Sequence, residues 1–161
     1  MTKLRVAGIV KESVVDGPGL RYVIFTQGCP HNCIGCHNTN THDPQGGYDI
    51  SLAELLASIK ETKLIQGVTF TGGEPFTQAA TCAELARLIK HDCPELDILT
   101  YTGYYYEDLL ALAKKNPGIT ELLQATDILI DGPFEINKKT FTLPFRGSSN
   151  QNIISLATMR T

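Results

Sequence analysis

Three cysteines, Cys29, Cys33 and Cys36, fall within the eight residues C-P-H-N-C-I-G-C. Thiolates at this C-x3-C-x2-C spacing can take three corners of an iron–sulfur cube and leave the fourth iron without a protein ligand. An electron-transfer ferredoxin site closes its cluster with four cysteines. An open metal position can instead bind a small molecule and react with it, the contrast that also separates catalytic from structural zinc. Two further readings stay open at this level: a zinc site that recruits His31, His37 or His42, and chance spacing. Zinc sites usually pair two short Cys elements across a spacer, and a second pair at suitable spacing is missing here. Cys82 and Cys93 stand apart and read as buried or incidental thiols. Either one, as a fourth ligand, would close the cube and defeat open-site chemistry.

Gly72-Gly73-Glu74-Pro75 is the second candidate. Paired glycines let a backbone approach a ligand closely, and their amides could meet the amine or carboxylate of an amino-acid moiety. The plainer reading is a β-α turn with Pro75 opening a helix. Asp16-Gly17-Pro18-Gly19 has the composition of a tight turn, and Arg146–Gln151 that of a polar loop rich in donors. Thr102 and Asp131 stand at the ends of later strand-like runs.

The elements that must position these residues alternate. Residues 4–10 and 21–26 read as strands, rich in Val, Ile and Phe. Residues 51–63 read as a helix capped by Ser51, with Glu54 completing a capping box and Leu52, Leu55, Leu56 and Ile59 on one face. A short strand follows at 67–71, a helix at 77–91 with Leu85, Leu88 and Ile89 inward, and a strand at 96–101. A third helix covers 106–115, stopped by Asn116-Pro117-Gly118. Residues 127–131 and 152–156 complete the strands. Such alternation implies an α/β fold with a mostly parallel sheet, in one domain across residues 1–161. Each motif after the first strand pair lies at a strand's C-terminal end, where ligands bind in barrels and open sheets. Four or five units are too few for a full eight-unit barrel, so a partial, open (β/α) barrel is expected.

Bulk properties exclude some classes. A net charge of −3 lacks the basic face of a nucleic-acid binder. No run approaches the ~20 apolar residues of a membrane span, and residues 1–10 hold no signal-peptide core. An odd cysteine count with three clustered argues against a secreted disulfide framework, so a cytoplasmic location is expected.

Taken together, the triplet and Gly72-Gly73-Glu74-Pro75 resemble the radical S-adenosylmethionine superfamily. Asp16–Cys29, D-G-P-G-L-R-Y-V-I-F-T-Q-G-C, resembles its glycyl-radical-enzyme activases. His37-Asn38 after the triplet, D-I-L-I-D-G-P-F at Asp127–Phe134 and R-G-S-S-N-Q at Arg146–Gln151 are similar to the activators of anaerobic (class III) ribonucleoside-triphosphate reductase. The resemblance covers nearly the whole chain. Pyruvate formate-lyase activases are similar through the first half but much longer. One departure is Gly35, where many superfamily members carry an aromatic residue and the reductase activators tolerate glycine.

The resemblance implies a [4Fe–4S] cluster on Cys29, Cys33 and Cys36, with S-adenosylmethionine chelated at the open iron. Gly72, Gly73 and Glu74 would hold its amino group. Gly35, Cys36 and His37 would lie against its adenine or sulfonium, and Thr102 and Asp131 would add contacts. Reductive cleavage would yield a 5′-deoxyadenosyl radical that takes a hydrogen atom from a glycine of the partner reductase. A flavodoxin- or ferredoxin-type donor would supply the electron, and Asp16, Gly17, Pro18 and Gly19 would dock the partner's loop. The alternatives are an activase for another glycyl-radical enzyme such as pyruvate formate-lyase, a small-molecule radical enzyme, and a non-catalytic zinc or iron–sulfur module.

Overall fold

The computed structural model describes residues 2–31, 33–36 and 39–159. Seven strands form one sheet: β1 (Lys3–Ser13), β2 (Arg21–Thr26), β3 (Tyr48–Ser51), β4 (Gly67–Gly72), β5 (Asp97–Tyr101), β6 (Ile128–Asp131) and β7 (Asn152–Ser155). Their order is β3-β1-β2-β4-β5-β6-β7. The parallel part is β2-β4-β5-β6, in register from Arg21 beside Gly67 and Gly67 beside Asp97. Antiparallel strands flank it on both sides. The sheet stays open, with β3 and β7 as separate edges, which gives the expected partial barrel.

Strand residues point alternately to the two faces, and here the faces differ. Tyr22, Ile24, Val68, Phe70, Ile98 and Leu129 join one apolar cluster with the helices. Those helices are α1 (Leu52–Glu61), α2 (Ala79–Asp92), α3 (Tyr106–Ala113), α4 (Pro117–Ala125) and the short α5 (Leu156–Met159). Val23, Leu99 and Ile130 are equally buried but lie outside that cluster, on the opposite face. The 13–20 turn covers this second face: a Cβ on Gly17 would meet Leu99 Cδ1 at 2.7 Å and Arg21 Cδ at 2.8 Å.

Local signals explain most elements. Ser51 Oγ accepts from Glu54 N at 3.1 Å and caps α1, whose Leu52, Leu55 and Ile59 are buried. Helix α2 begins after a 3-10 turn at Pro75–Gln78 and buries Leu85 and Ile89, whereas Leu88 is left on the exposed side. Asn116-Pro117-Gly118 does stop α3, yet it also starts α4. Asn116 Oδ1 accepts from Gly118 N, and Pro117 fills the first turn, where its missing N–H costs nothing. Strand β3, also unexpected, has only four residues and forms by pairing with Lys3–Val6. Among the described residues no helix is long and apolar enough to cross a membrane.

Candidate active site

The cysteine loop leaves β2 through Gly28, whose φ of +103° suits a residue without Cβ. Gly28 N donates to Thr41 O at 2.6 Å and Cys29 N to His42 O at 3.1 Å, so the loop leans on the segment after it. Cys36 N donates back to Cys33 O at 3.2 Å. Cys29, Cys33 and Cys36 are all partly exposed and in no disulfide. They line one cavity of about 110 Å³ together with Gly72, Gly73 and Thr102. This cavity shares Cys36, Thr71 and Tyr101 with a groove of about 600 Å³ on the helix-free face, a volume typical of ligand sites.

Three thiols facing one cavity fit an open cluster. Cys82 is fully buried in α2, its Sγ 3.7 Å from Pro75 O, and neither it nor Cys93 lines the cavity. Among the described residues no three His, Cys, Asp or Glu side chains converge tightly enough to grip a single ion. A cube is bound differently, with each thiolate at its own corner. Burial, and the nearby Glu74 charge with it, raises the Cys29 thiol above its ordinary range, against a backbone hydrogen bond from His31 that lowers it. Cluster binding there must displace a proton.

The Gly72-Gly73 turn is built by chain packing as much as by any ligand. Gly72 has φ +104°, and a Cβ on it would meet Thr26 N and O at 2.6 Å. A Cβ on Gly73 would run into the Gly28 carbonyl. The two turns therefore interlock, bringing the glycines against the cysteine loop.

Glu74 lies behind the cavity wall. It is fully buried, and its carboxylate is occupied by protein donors. His31 Nε2 lies at 2.5 Å, Gly103 N at 2.8 Å and Phe76 N at 3.1 Å. Thr102 Oγ1 is 2.9 and 3.0 Å from its two oxygens. Asp131 is buried likewise: its oxygens accept from Tyr106 N at 2.8 Å, capping α3, and from Asn152 N and Nδ2 at 3.2 and 2.9 Å. Both carboxylates were expected to touch a ligand; here each also joins loops through its protein donors. Gly35 has φ +77° and packs toward Ile136 and Phe134, outside the cavity lining. His37 and Asn38 lie outside the described residues.

The Asp16–Gly19 turn is split. Asp16 and Val15 reach the groove, whereas Gly17 is packed under Arg21 and Gly19 turns toward Gln66. The tail motif is a brace. Gln151 Oε1 accepts from Gly147 N at 2.8 Å, and its Nε2 donates to Gly132 O at 3.0 Å. Asn150 Nδ2 donates to Pro133 O at 2.8 Å. Thr71 and Tyr101 also line the cavity and were not foreseen, and Gln151 joins them from the donor-rich loop. Residues 71 and 101 share the parity of Arg21 and Leu99 along their strands, a signal that could have found them. Tyr101 is held well above its usual range by burial and by the charge of Asp16, and its hydroxyl donates to Phe145 O at 2.8 Å.

Residues 15–154 match the family of the 4Fe-4S single cluster domain. The anaerobic ribonucleoside-triphosphate reductase-activating protein of Enterobacteria phage T4 is 38% identical over 145 residues, covering 88% of this chain and 87% of that protein. The proteins of the same name from Pasteurella multocida (strain Pm70) and Escherichia coli (strain K12) are 36% and 31% identical, covering 87% and 86% of this chain and 90% of each relative. With a three-cysteine cavity at the mouth of an open α/β sheet and these relatives along nearly its whole length, the chain belongs to the 4Fe-4S single cluster domain family and, within it, to the anaerobic ribonucleoside-triphosphate reductase-activating proteins.

Proposed function

We propose that the chain activates an anaerobic ribonucleoside-triphosphate reductase by radical chemistry on S-adenosylmethionine. The observation that carries the reading is the cavity walled by Cys29, Cys33 and Cys36 on one side and Gly72-Gly73 on the other, opening at Cys36 into a groove. When bound, a [4Fe–4S] cluster with S-adenosylmethionine supplies reductive cleavage and a 5′-deoxyadenosyl radical able to take a hydrogen atom from a partner glycine. The chain's own residues bind, orient and shield.

Cys29, Cys33 and Cys36 would hold the cluster. Gly72, Gly73 and Thr102 would meet S-adenosylmethionine from the cavity wall, and Gly35, Glu74 and Asp131 would support that wall from behind. The groove would receive an extended segment of the reductase. Thr71 and Tyr101 line it, as do Asp16, Lys139 and Arg146. Exposed apolar side chains line the same groove, Val15 at 72% and Phe141 at 88% exposure, as a protein-docking edge would require. Five thiols without disulfides suit a reducing cytoplasm, and a flavodoxin- or ferredoxin-type protein would deliver the electron.

The test is anaerobic reconstitution with iron and sulfide, reduction by dithionite and addition of S-adenosylmethionine, with Cys33→Ala as control. Cysteine-dependent 5′-deoxyadenosine is the expected product. Adding the reductase should then yield a glycyl radical by electron paramagnetic resonance. Stoichiometric zinc in place of a cluster would overturn the reading.

A further inference from the structure

His31 occupies an unusual position for a residue of a metal-binding loop. It lies between Cys29 and Cys33, yet its ring turns inward, only partly exposed. Nε2 meets Glu74 Oε1 at 2.5 Å. The ring packs edge-on against Tyr104, with centroids 4.4 Å apart at 78°. Gly103 completes the slot: a Cβ there would lie 2.7 Å from His31 Nε2 and 2.8 Å from Cγ, so only glycine lets the ring seat fully. Glu74 in turn grips Thr102, Gly103 N and Phe76 N. One imidazole therefore ties the cysteine loop to the ends of both β4 and β5.

Backbone bonds tie the start of the loop, from Gly28 N to Thr41 O, from Cys29 N to His42 O and from Glu74 N to Gly28 O at 2.8 Å, and one runs within it from Cys36 N to Cys33 O. His31 adds a side-chain tie to Glu74 farther along, between the first two cysteines. A buried carboxylate needs its partners to remain buried, so Glu74 holds His31 as firmly as His31 holds the loop.

We propose that His31 is a positioning residue, a clasp that docks the cysteine loop against Glu74 and presets the three thiolates for the cluster. The proposal rests on the reading of the loop as a cluster site. Outer partners that fix metal ligands contribute about 10- to 100-fold in affinity or activity when removed, and His31 acts one step further out, on the loop that carries the ligands.

The experiment compares wild type, His31→Ala, His31→Gln, Gly103→Ala and the double variant His31→Ala/Gly103→Ala. Each is reconstituted with iron and sulfide without oxygen. Bound iron, the visible absorption of the cluster, its release to a chelator and the electron paramagnetic resonance spectrum of the reduced form are read, with far-ultraviolet circular dichroism reporting the fold. His31→Ala should release the cluster about 10-fold faster with a broadened spectrum. His31→Gln, whose amide nitrogen can stand in for Nε2, should stay within about three-fold of wild type. Gly103→Ala should resemble His31→Ala, because its methyl group evicts the ring. The double variant should be no worse than either single one, the non-additivity expected of two changes that break one contact. Wild-type release rates and spectra in His31→Ala, or strictly additive effects, would overturn the clasp while leaving the cluster reading intact. A wild-type protein that takes up no cluster would overturn both. If His31→Ala fails to fold, the comparison of His31→Gln with Gly103→Ala still decides, since only the second loses the contact.

Discussion

The two ends of the parallel strands are each organised by one fully buried charged side chain, and they do so differently. At the N-terminal ends, Arg21 donates to Thr69 Oγ1 at 2.7 Å, Pro18 O at 3.1 Å and Val68 O at 3.2 Å, and pairs with Asp97 at 2.5 Å. At the C-terminal ends, Glu74 gathers His31, Phe76, Thr102 and Gly103. Arg21 meets an opposite charge within the sheet and closes a floor. Glu74 meets donors on three separate loops and holds a mouth around a cavity. A self-contained network of the first kind rigidifies; one that spans loops positions whatever those loops carry. The floor should therefore govern stability, and the mouth the loading of the site.

The largest separation of the two comes from a cysteine at the mouth. Cys33→Ala removes a partly exposed thiol, so melting of the metal-free protein should move little, within about 0.5 kcal/mol for such a surface change. Cluster content and 5′-deoxyadenosine formation should fall to background. A loaded, active Cys33→Ala protein would dissolve the comparison. At the floor, Arg21→Met keeps much of the volume but removes the donors to Thr69, Pro18 and Val68 and leaves Asp97 unpaired. Because Asp97 is partly exposed, its cost is below that of a sealed pair. A loss of about 2–4 kcal/mol is expected, or roughly 4–16 °C in Tm for a chain of this length. Per folded molecule, cluster uptake should persist. Calorimetry and iron analysis on the same sample check both halves.

Thiol chemistry sharpens the comparison at a smaller scale. Cys82 is sealed in α2 and its thiol is raised far above the ordinary range by burial, so iodoacetamide should reach it only after unfolding. Cys29 is raised more modestly, first by desolvation. A raised thiol forms its reactive thiolate only at higher pH, so labelling of Cys29 should still climb past the ordinary midpoint near 8.5. Loading the cluster should abolish it. Mass spectrometry of peptides labelled at several pH values gives the profile; rapid labelling of Cys29 near neutrality would contradict the assigned burial.

How much of this was legible in the sequence follows from the range of the interactions. The cysteine triplet, the capping of α1 by Ser51 and the strand–helix alternation are local, and all are found where the spacing puts them. Asn116-Pro117-Gly118 carries both a stop and a start signal, and only the packing of Ile119, Leu122 and Leu123 into the core makes the start prevail. Glu74 was legible as an important carboxylate, but its protein partners were not, because they come from residues 31, 102 and 103, which no local spacing links. Arg21 reads as an ordinary polar residue opening a strand; its burial depends on the 13–20 turn folding back over it. The R-G-S-S-N-Q tail was visible as donor-rich, whereas its targets at Gly132 and Pro133 required the chain to be folded.

The smallest expected effect lies at the border between floor and mouth, at Asp16. Its carboxylate accepts from Ser13 Oγ at 2.6 Å, and its backbone oxygen accepts from Thr69 Oγ1 at 2.9 Å. The backbone bond survives substitution, so Asp16→Ala forfeits one side-chain hydrogen bond, about 1 kcal/mol, and a few degrees of Tm. What it changes in the groove is charge. Asp16 is an acidic group in a groove that Lys139 and Arg146 also line, and a segment docking there would meet a more basic channel without it. Rim charges mainly alter encounter and salt dependence. The KM for the reductase should accordingly rise a few-fold and become more sensitive to ionic strength, while 5′-deoxyadenosine formation without the partner stays at the wild-type rate. Unchanged partner kinetics across a salt series would remove Asp16 from the docking surface and leave it to the floor alone. A loss of partner-free cleavage would instead show that the groove and the cysteine cavity are one site, and that the division between floor and mouth has been drawn too high in the sheet.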